Sequence, residues 1–327
     1  MKFRSKNLLV TGGAGFFCSN FIDFILSKYD SVRVINLDKL TYAGSLKNTE
    51  VFKNNKRYTF IKGCICDKPL LEKIFERYNI DGVVNFAAES HVDNSISNPE
   101  IFIKTNINGV YNLLSVAYKY WMDGNFKVKN KFINARFHQI STDEIYGSIK
   151  KGKFSEDAQY KPNSPYSASK SSADMLVRCF NKTYGLNVTT SVSSNNYGPN
   201  QHPEKFIPKL ITCVKSEKDF PLYGKGLNVR NWIFVKDNCE AITKIYNSGN
   251  IGENYNVGSN QEFSNIEIIN MIYSIFKKPK KIKYVVDRFG HDFRYSLNSS
   301  KIKKELKWEA KTDLFEYMSS LFANIKN

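Results

Sequence analysis

The stretch Asn7-Leu-Leu-Val-Thr-Gly-Gly-Ala-Gly-Phe-Phe-Cys18 decides the fold. Its apolar start predicts a buried strand, and the glycines Gly12, Gly13 and Gly15 predict a tight turn into a helix. Such a turn lets backbone N–H groups and the helix dipole approach a pyrophosphate. Asp38 closes the next apolar run, where a carboxylate suits the ribose hydroxyls of NAD and repels the extra phosphate of NADP. The stretch therefore predicts a Rossmann-type site for NAD.

Around this stretch, short apolar runs alternate with amphipathic segments over the first two thirds of the 327 residues. This alternation is typical of a parallel sheet with crossover helices. We predict an α/β fold, a Rossmann-type doubly wound parallel sheet with a smaller, discontinuous α/β substrate-binding domain. The predicted strands are Asn7–Thr11, Val32–Leu37, Tyr58–Lys62, Gly82–Ala87, Phe137–Ser141 and Val188–Ser193, and the predicted helices are Ala14–Lys28, Pro69–Tyr78, Glu100–Tyr120 and Pro165–Tyr184.

The alternation ends after Asn195, where loops rich in Gly, Pro and Asn begin. We assign residues 1–195 to the NAD-binding domain. Short elements at Asn231–Val235 and Lys236–Gly249 resemble a return to it, so residues 231–255 are added. Residues 196–230 and 256–327 then form the second domain.

The composition limits the possible partners. No apolar run reaches the ~18 residues of a membrane span, and the start of the chain lacks a signal peptide, so we expect a cytoplasmic protein. The six cysteines are scattered without zinc-ligand spacing, so no metal is expected. The net charge of +17 comes mostly from lysines without a nucleic-acid recognition motif. We interpret them as solvated surface whose field would attract an anionic nucleotide sugar.

Two clusters of polar residues indicate chemistry. Tyr166 and Lys170 lie one turn apart on a predicted helix, where the ammonium would favour the phenolate as a base for an alcohol proton. Thr142, Asp143 and Glu144 directly follow an apolar strand, where such folds place active-site groups. The carboxylate pair adds a second acid and a second base, so the chain is equipped for an oxidation and a further proton transfer.

With these motifs the chain resembles the extended short-chain dehydrogenase/reductases, and within them the nucleotide-diphosphoglucose 4,6-dehydratases. The resemblance spans nearly the whole length. It is carried, in order, by the glycine turn and by Asp38-Lys-Leu-Thr-Tyr-Ala-Gly-Ser-Leu-Lys-Asn48, Phe86-Ala-Ala-Glu-Ser-His-Val-Asp93, Ser141-Thr-Asp-Glu-Ile-Tyr-Gly147, Pro165-Tyr-Ser-Ala-Ser-Lys170, Ser194-Asn-Asn-Tyr-Gly-Pro199, Pro203-Glu-Lys205, Tyr223-Gly-Lys-Gly226, Val229-Arg-Asn-Trp232 and Asp287-Arg-Phe-Gly-His-Asp292.

The resemblance implies a set of site residues. Catalytic roles fall to Thr142, Asp143, Glu144, Tyr166 and Lys170. The residues implied for NAD are Gly12, Gly15, Phe16, Phe17, Asp38, Lys39, Leu40, Thr41, Cys64, Ile65, Phe86, Ala87, Ala88, Ser90, Thr105, Tyr166, Lys170 and Asn196. The residues implied for the nucleotide sugar are Ser90, Thr142, Asn195, Glu204, Lys205, Tyr223, Arg230, Asn256, Arg288 and His291.

Some positions depart from the family pattern. Cys64 stands where the family usually has an Asp that bonds the adenine, so NAD is expected to be held less firmly. Cys18 replaces the usual third glycine, and Asn94 and Asn231 replace charged residues of the bacterial members. Cys18, Asn94 and the segment Tyr197-Gly-Pro-Asn-Gln201 are similar to eukaryotic members that act on UDP-glucose. These positions favour UDP-glucose, and dTDP-glucose stays open.

The implied reaction converts UDP-glucose or dTDP-glucose to its 4-keto-6-deoxy form, with loss of water and transient NADH, for deoxysugar synthesis of the rhamnose type. The family also implies a homodimer through the helices at Glu100–Tyr120 and Pro165–Tyr184. Two alternatives remain. A related 4-epimerase or decarboxylase would share the NAD site and Tyr166/Lys170 but has no need of the second acid–base pair. A non-catalytic NAD-binding regulator would need the NAD site but neither Tyr166/Lys170 nor Asp143/Glu144.

Overall fold

The computed structural model describes residues 3–287 and 290–326, and its first two thirds alternate strands and helices as predicted. The strands are β1 (Asn7–Thr11), β2 (Arg33–Asp38), β3 (Tyr58–Lys62), β4 (Gly82–Asn85), β5 (Met122–Gly124), β6 (Lys127–Val128), β7 (Arg136–Thr142), β8 (Val188–Ser193), β9 (Asn195–Tyr197), β10 (Phe220–Tyr223), β11 (Val229–Phe234), β12 (Asn254–Val257), β13 (Glu262–Ser264) and β14 (Ile282–Val285). The helices are α1 (Phe16–Lys28), α2 (Lys68–Tyr78), α3 (Val92–Ser97), α4 (Pro99–Phe102), α5 (Gly109–Trp121), α6 (Pro165–Tyr184), α7 (Phe206–Lys215), α8 (Val235–Ser248), α9 (Asn265–Phe276), α10 (Ser300–Leu306) and α11 (Leu314–Lys326).

The main sheet has seven parallel strands in the order β12-β8-β7-β4-β1-β2-β3. Its strand order reverses direction at β1 and β4, so the connections from these strands leave on opposite sides of the sheet and open a crevice at their carboxyl ends. Alternate side chains of each strand enter the apolar layers on the two faces. Leu9, Val83 and Phe137 lie in one layer, and Leu8, Val10 and Val84 lie in the other. The predicted doubly wound α/β fold is confirmed.

The segment predicted as one helix over Glu100–Tyr120 is interrupted. A π-helical segment, Ile103–Asn108, separates α4 from α5. Within it the buried Asn106 side chain accepts a hydrogen bond from the Glu89 backbone N–H at 2.8 Å and donates to the Ser169 hydroxyl at 2.9 Å. Wide helical turns of this kind often occur at functional sites. Here the segment ties the loop after β4 to helix α6.

The last third of the chain builds smaller sheets around its own apolar cluster. β11 pairs with β9 and β13, and β10 pairs with β14. The predicted element at Asn231–Val235 therefore lies in a three-stranded sheet, while the following helix α8 packs against α1 of the first domain. β12 adds to the main sheet through Val257 because its pairing with β8 continues to Ser193.

Helices in the described part of the chain are all too short or too polar to cross a membrane.

Candidate active site

The glycine turn connects β1 to α1 with its backbone close to the loop after β4. Gly12 has φ +77, and a Cβ at this position would lie 3.0 Å from the backbone of Ala87. Only glycine fits both the dihedral angle and the contact. Helix α1 begins after Gly15, which offers no side-chain cap, and its first turn has no acidic residue. Its first backbone N–H groups therefore face the crevice in the way that a pyrophosphate requires.

Asp38 lies at the end of β2, beside the glycine turn. Its carboxylate accepts hydrogen bonds from the backbone N–H groups of Ala14 at 2.8 Å and Leu40 at 2.7 Å. These bonds fix the carboxylate and leave further lone pairs for ribose hydroxyls, since a carboxylate has about four acceptor sites. Leu40 contributes through its backbone, at φ 58, and does not line the cavity.

A cavity of about 370 Å³ runs along the carboxyl ends of the strands. Most of the residues assigned from the sequence to NAD and to the sugar line it together, whereas Leu40, Asp143, Glu204, Tyr223, Arg230, Asn256 and His291 do not. The predicted residues that line it are Gly12, Gly15, Phe16, Phe17, Asp38, Lys39, Thr41, Cys64, Ile65, Phe86, Ala87, Ala88, Ser90, Thr105, Thr142, Glu144, Tyr166, Lys170, Asn195, Asn196 and Lys205.

Thr142 and Tyr166 meet at the centre of this cavity. Thr142 ends β7 and Tyr166 begins α6, which starts with a capping box of Ser164 and Ser167. Both side chains line the cavity. Burial raises the pKa of Tyr166, and the charge of Glu144 raises it further, so the phenol is protonated in this state of the protein.

Lys170 was expected to lower the pKa of Tyr166 through its charge. In the structure Lys170 Nζ donates to the Ile140 carbonyl at 2.6 Å, and the pKa of Tyr166 is raised by burial and then by Glu144. Burial also lowers the pKa of Lys170 itself, and the charge of Asp174 opposes this effect. A positive charge near Tyr166 would favour its ionised form, and the nicotinamide ring of bound NAD would supply one.

Asp174 is a group that the sequence analysis missed. It follows Lys170 by four residues, as Lys170 follows Tyr166, so the three side chains share one face of α6. The Asp174 carboxylate accepts the hydroxyl of Ser141, a residue that lines the cavity. Burial raises the pKa of Asp174 to about 6, while Lys170 and Ser141 lower it. The four-residue spacing, repeated from Lys170 to Asp174, was the signal in the sequence that could have identified Asp174.

Asp143 is buried behind the cavity wall, next to Glu144. Its Oδ1 accepts a hydrogen bond from the Thr142 hydroxyl at 3.3 Å, while Oδ2 has no hydrogen-bond partner among the described residues. Burial and then the charge of Glu144 raise its pKa to about 8, with Arg230 opposing. Asp143 is therefore mainly protonated at neutral pH and suits a general acid. Glu144 reaches the cavity and is placed to act as a base.

The segment Pro203–Lys205 closes one side of the cavity. The Glu204 carboxylate accepts the Tyr42 hydroxyl at 3.3 Å and lies 3.8 Å from His91 and 3.7 Å from His202. Lys205 Nζ donates to the Ser90 carbonyl at 3.3 Å. Three separate loops thus meet at Glu204. The residues of this region missed by the sequence analysis are Glu89, Gln201 and His202, which line the cavity within or next to the quoted motifs.

The remaining substrate residues lie outside the cavity. The Arg230 guanidinium donates to the Asp292 carbonyl at 3.0 Å and lies over the Tyr295 ring at 4.3 Å, close enough to Asp143 to lower its pKa. The Tyr223 and His291 rings meet edge to face, with ring centres 6.4 Å apart. Their role toward a nucleotide stays a prediction. Arg288 lies outside the described residues.

Asn256 is in a different position from the one expected. It is fully buried on β12, where its side chain accepts the Tyr146 hydroxyl at 3.0 Å and donates to the Phe154 carbonyl at 2.9 Å. The Asn256 side chain therefore stabilises the fold through these two hydrogen bonds and does not line the cavity. Asn231 is also fully buried and binds the backbone of Ser259 through both ends of its amide. This structural role accounts for an uncharged residue at that position.

Comparisons with known proteins identify the family. Residues 9–321 match the family model described as GDP-mannose 4,6-dehydratase. The chain is 46% identical to dTDP-glucose 4,6-dehydratase of Xanthomonas campestris over 92% of this chain and 88% of that protein. It is also 46% identical to the enzyme of that name from Haemophilus influenzae, over 93% of each. The chain belongs to the nucleotide-sugar 4,6-dehydratase family.

Solved structures of the dehydratase family share the whole fold. A dTDP-glucose 4,6-dehydratase of Streptomyces venezuelae with NAD bound aligns with a TM-score of 0.91 and 37% identity, over 98% of this chain and 97% of that one. A UDP-glucose 4-epimerase of Thermotoga maritima aligns with a TM-score of 0.86 and 28% identity, over 98% of each chain. The fold is thus common to both chemistries, and the residues of the site must distinguish them.

Replacing Asp38 is expected to weaken the discrimination between NAD and NADP. Asp38→Asn keeps the shape and one oxygen acceptor but removes the charge that repels the 2′-phosphate, so the ratio of the two dissociation constants should approach one. Calorimetric titration of both dinucleotides measures this ratio. Asp38→Ala serves as a second variant. Asparagine can accept only one of the bonds from Ala14 and Leu40, whereas alanine loses both and should weaken both dinucleotides further. Wild-type protein that prefers NADP would contradict this role of Asp38.

Proposed function

We propose that this protein is an NAD-dependent 4,6-dehydratase that converts dTDP-glucose to dTDP-4-keto-6-deoxyglucose and water. The observation that carries the proposal is the buried, protonated Asp143 directly behind the wall of the cavity that Glu144, Tyr166 and Lys170 line. The uncapped start of α1 and the fixed carboxylate of Asp38 fit a dinucleotide. Bound NAD supplies reversible hydride acceptance. All other steps belong to side chains of this chain.

The first of these steps is removal of the proton from the C4 hydroxyl. Tyr166 accepts this proton, and the neighbouring Thr142 hydroxyl lowers the pKa of the phenol. Lys170 supplies positive charge at the same cavity, and a hydrogen bond to the Ile140 carbonyl holds its ammonium group in place. Asp174 favours the charged form of Lys170 against the effect of burial, so we assign it as a positioning residue for this step.

The second step is elimination of water. A ketone at C4 makes the proton on C5 acidic, and Glu144 removes it. Asp143 donates a proton to the C6 hydroxyl, which leaves as water, and a double bond forms between C5 and C6. The hydride held by the cofactor would then return to C6 and Glu144 would return a proton to C5, which gives the 4-keto-6-deoxy sugar. An epimerase has no need of this acid. The position of Asp143 therefore favours dehydration over the epimerase that shares the fold.

The identity of the base needs a separate argument. The relatives that are 46% identical are named for dTDP-glucose, which supports thymine. Cys18, Asn94 and Tyr197–Gln201 favoured uracil in the sequence. Cys18 is a buried residue of α1 that lines the cavity beside the glycine turn, at the proposed cofactor site, so it gives little support for uracil. Specificity constants measured in parallel on dTDP-glucose and UDP-glucose decide the matter, and a higher value for UDP-glucose would reverse our choice.

We also propose that the protein is a homodimer. Ile103, Tyr111 and Met175 expose 51%, 47% and 53% of their surface on or next to the adjacent helices α5 and α6. Burying such apolar surface favours association. Sedimentation should give a dimer for wild-type protein and a monomer for Met175→Glu, with Ile133→Glu, on another exposed site, as the control. A monomeric wild type would refute the dimer.

We place the enzyme in the cytoplasm, which suits its six free cysteines.

The pH dependence should report the acid role of Asp143. Its pKa of about 8 means that the donating form is present below pH 8 and is lost as the pH rises through this value. The turnover number for dehydration should therefore fall above about pH 8. Asp143→Asn should be slower at every pH and should lack this alkaline limb, whereas Asp143→Glu should keep one. An unchanged limb in Asp143→Asn would assign it to another group.

The oxidation and the elimination should fail separately. Asp143→Asn with Glu144→Gln leaves Tyr166 and Lys170 intact, so the quenched reaction should contain 4-keto-glucose nucleotide that has not lost water. Each acid or base contributes roughly 10²–10⁴ in rate, so the loss of dehydrated product should be large. Mass spectrometry distinguishes the two products. Tyr166→Phe is the matched control and should yield neither. Near wild-type dehydration by the double variant would overturn the proposed function.

A further inference from the structure

Two cysteines lie on the turn that forms one wall of the cavity. Cys64 and Cys66 follow β3, and the turn is closed by a hydrogen bond from the Asp67 N–H to the Cys64 carbonyl at 3.0 Å. It begins beside the ribose-binding acid, since the Gly63 N–H donates to the Asp38 carbonyl at 2.9 Å. Cys64 lines the cavity and Cys66 lies behind it. Both side chains are partly exposed.

Cys64 and Cys66 lie next to each other in this turn. The Cys66 backbone N–H donates to Cys64 Sγ at 3.4 Å. The neighbouring Cys66 side chain and this backbone N–H, with the charges of Lys39 and Lys104, lower the pKa of Cys64 to about 6, while Cys64 and burial raise the pKa of Cys66. A thiolate thus lies next to a thiol. This is the arrangement in which an attacking sulfur has a resolving partner.

The surroundings connect this pair to the cofactor wall. Cys66 Sγ lies 3.2 Å from the Lys104 carbonyl in the π-helical segment, whose next residue, Thr105, lines the cavity. The Asn112 side chain donates to the Cys66 carbonyl at 3.1 Å. A change at Cys66 would therefore affect both the turn and the π-helical segment that places Thr105 in the cavity wall.

We propose that Cys64 and Cys66 are a site of reversible oxidation by hydroperoxides, at which formation of a Cys64–Cys66 disulfide weakens NAD binding. A disulfide needs Cα atoms about 4.4–6.8 Å apart, a span that two residues separated by one can meet in a closed turn. The bond would draw Cys64 Sγ out of the cavity wall and break the contact of Cys66 with Lys104. A strained disulfide of this kind is readily reduced again, as regulatory disulfides are.

One hydroperoxide molecule is the two-electron oxidant that converts the two thiols to a disulfide. The Cys64 thiolate attacks the peroxide, the O–O bond breaks, and Cys64 sulfenic acid forms while the released oxyanion takes a proton to leave as water or an alcohol. The Cys66 thiol then attacks the sulfenic sulfur. The S–S bond forms, the S–O bond breaks, and water carries away the thiol proton. Two thiols are oxidised by two electrons and the peroxide is reduced by two.

The experiment treats the full-length protein with hydrogen peroxide, blocks the remaining thiols by alkylation and maps the peptides by mass. Wild-type protein should lose two alkylatable thiols in the peptide that holds Cys64 and Cys66, become lighter there by two hydrogen atoms, and recover with dithiothreitol. Saturating NAD should slow the reaction because it covers Cys64. Cys213→Ser removes another partly exposed thiol that does not line the cavity and should behave as wild type.

Cys66→Ser separates the two roles of the pair. Its hydroxyl can keep the bond to the Lys104 carbonyl, so the reduced variant should bind NAD as wild type does. On oxidation its Cys64 should gain one and then two oxygen atoms, and the second step should not be reversed by dithiothreitol. Reversible protection of Cys64 in this variant would exclude Cys66 as the partner.

Binding of NAD to oxidised and reduced protein, measured by calorimetry, completes the test. We expect at least a tenfold weaker affinity after oxidation and full recovery on reduction. Both thiols surviving a peroxide dose that oxidises Cys213 would overturn the site, and a disulfide with unchanged NAD affinity would overturn its effect on the cofactor. Neither readout needs sugar turnover, so these outcomes are independent of the proposed dehydration.

Discussion

The close approach of Gly12 to the backbone of Ala87 is the constraint on which the site depends. It holds the end of β1 against the loop after β4, at the point where the strand order of the main sheet reverses. A side chain at Gly12 would push these two loops apart. Because they stay together, the start of α1 and the loop after β4 form opposite walls of one crevice. Asp38 then fixes the second edge of the same crevice through the Ala14 N–H.

Burial of charged groups determines which side chains of the crevice act as acids and which act as bases. Asp143 and Glu144 are adjacent in the chain, yet only Asp143 is withdrawn from the cavity, and its raised pKa makes it an acid. On α6 the same physics opposes Tyr166 and Lys170, whose ionised forms are both disfavoured by burial. Asp174 offsets part of this effect for Lys170. The positive nicotinamide ring of bound NAD would favour the ionised form of Tyr166.

The two parts of the chain are joined across the cavity at Glu204. Its carboxylate meets Tyr42 from the loop after β2 and His91 from the loop after β4. The cofactor wall on the far side carries the Cys64 and Cys66 pair. The contacts of Glu204 thus close one side of the cavity that the Cys64 thiol lines. We infer that retention of the dinucleotide depends on both.

The sequence by itself determined the doubly wound sheet, the glycine turn, Asp38 and the grouping of Thr142, Glu144, Tyr166 and Lys170, because strand periodicity, glycine spacing and helical spacing are local properties. β1, β3, β8 and α6 have the predicted bounds for this reason. Tertiary structure alone decided the π-helical segment, the burial of Asn256 and Asn231, and the direction in which the pKa values of Asp143 and Tyr166 move. These depend on which distant residues surround a side chain and on how much water reaches it, and neither is encoded in the local spacing of residues.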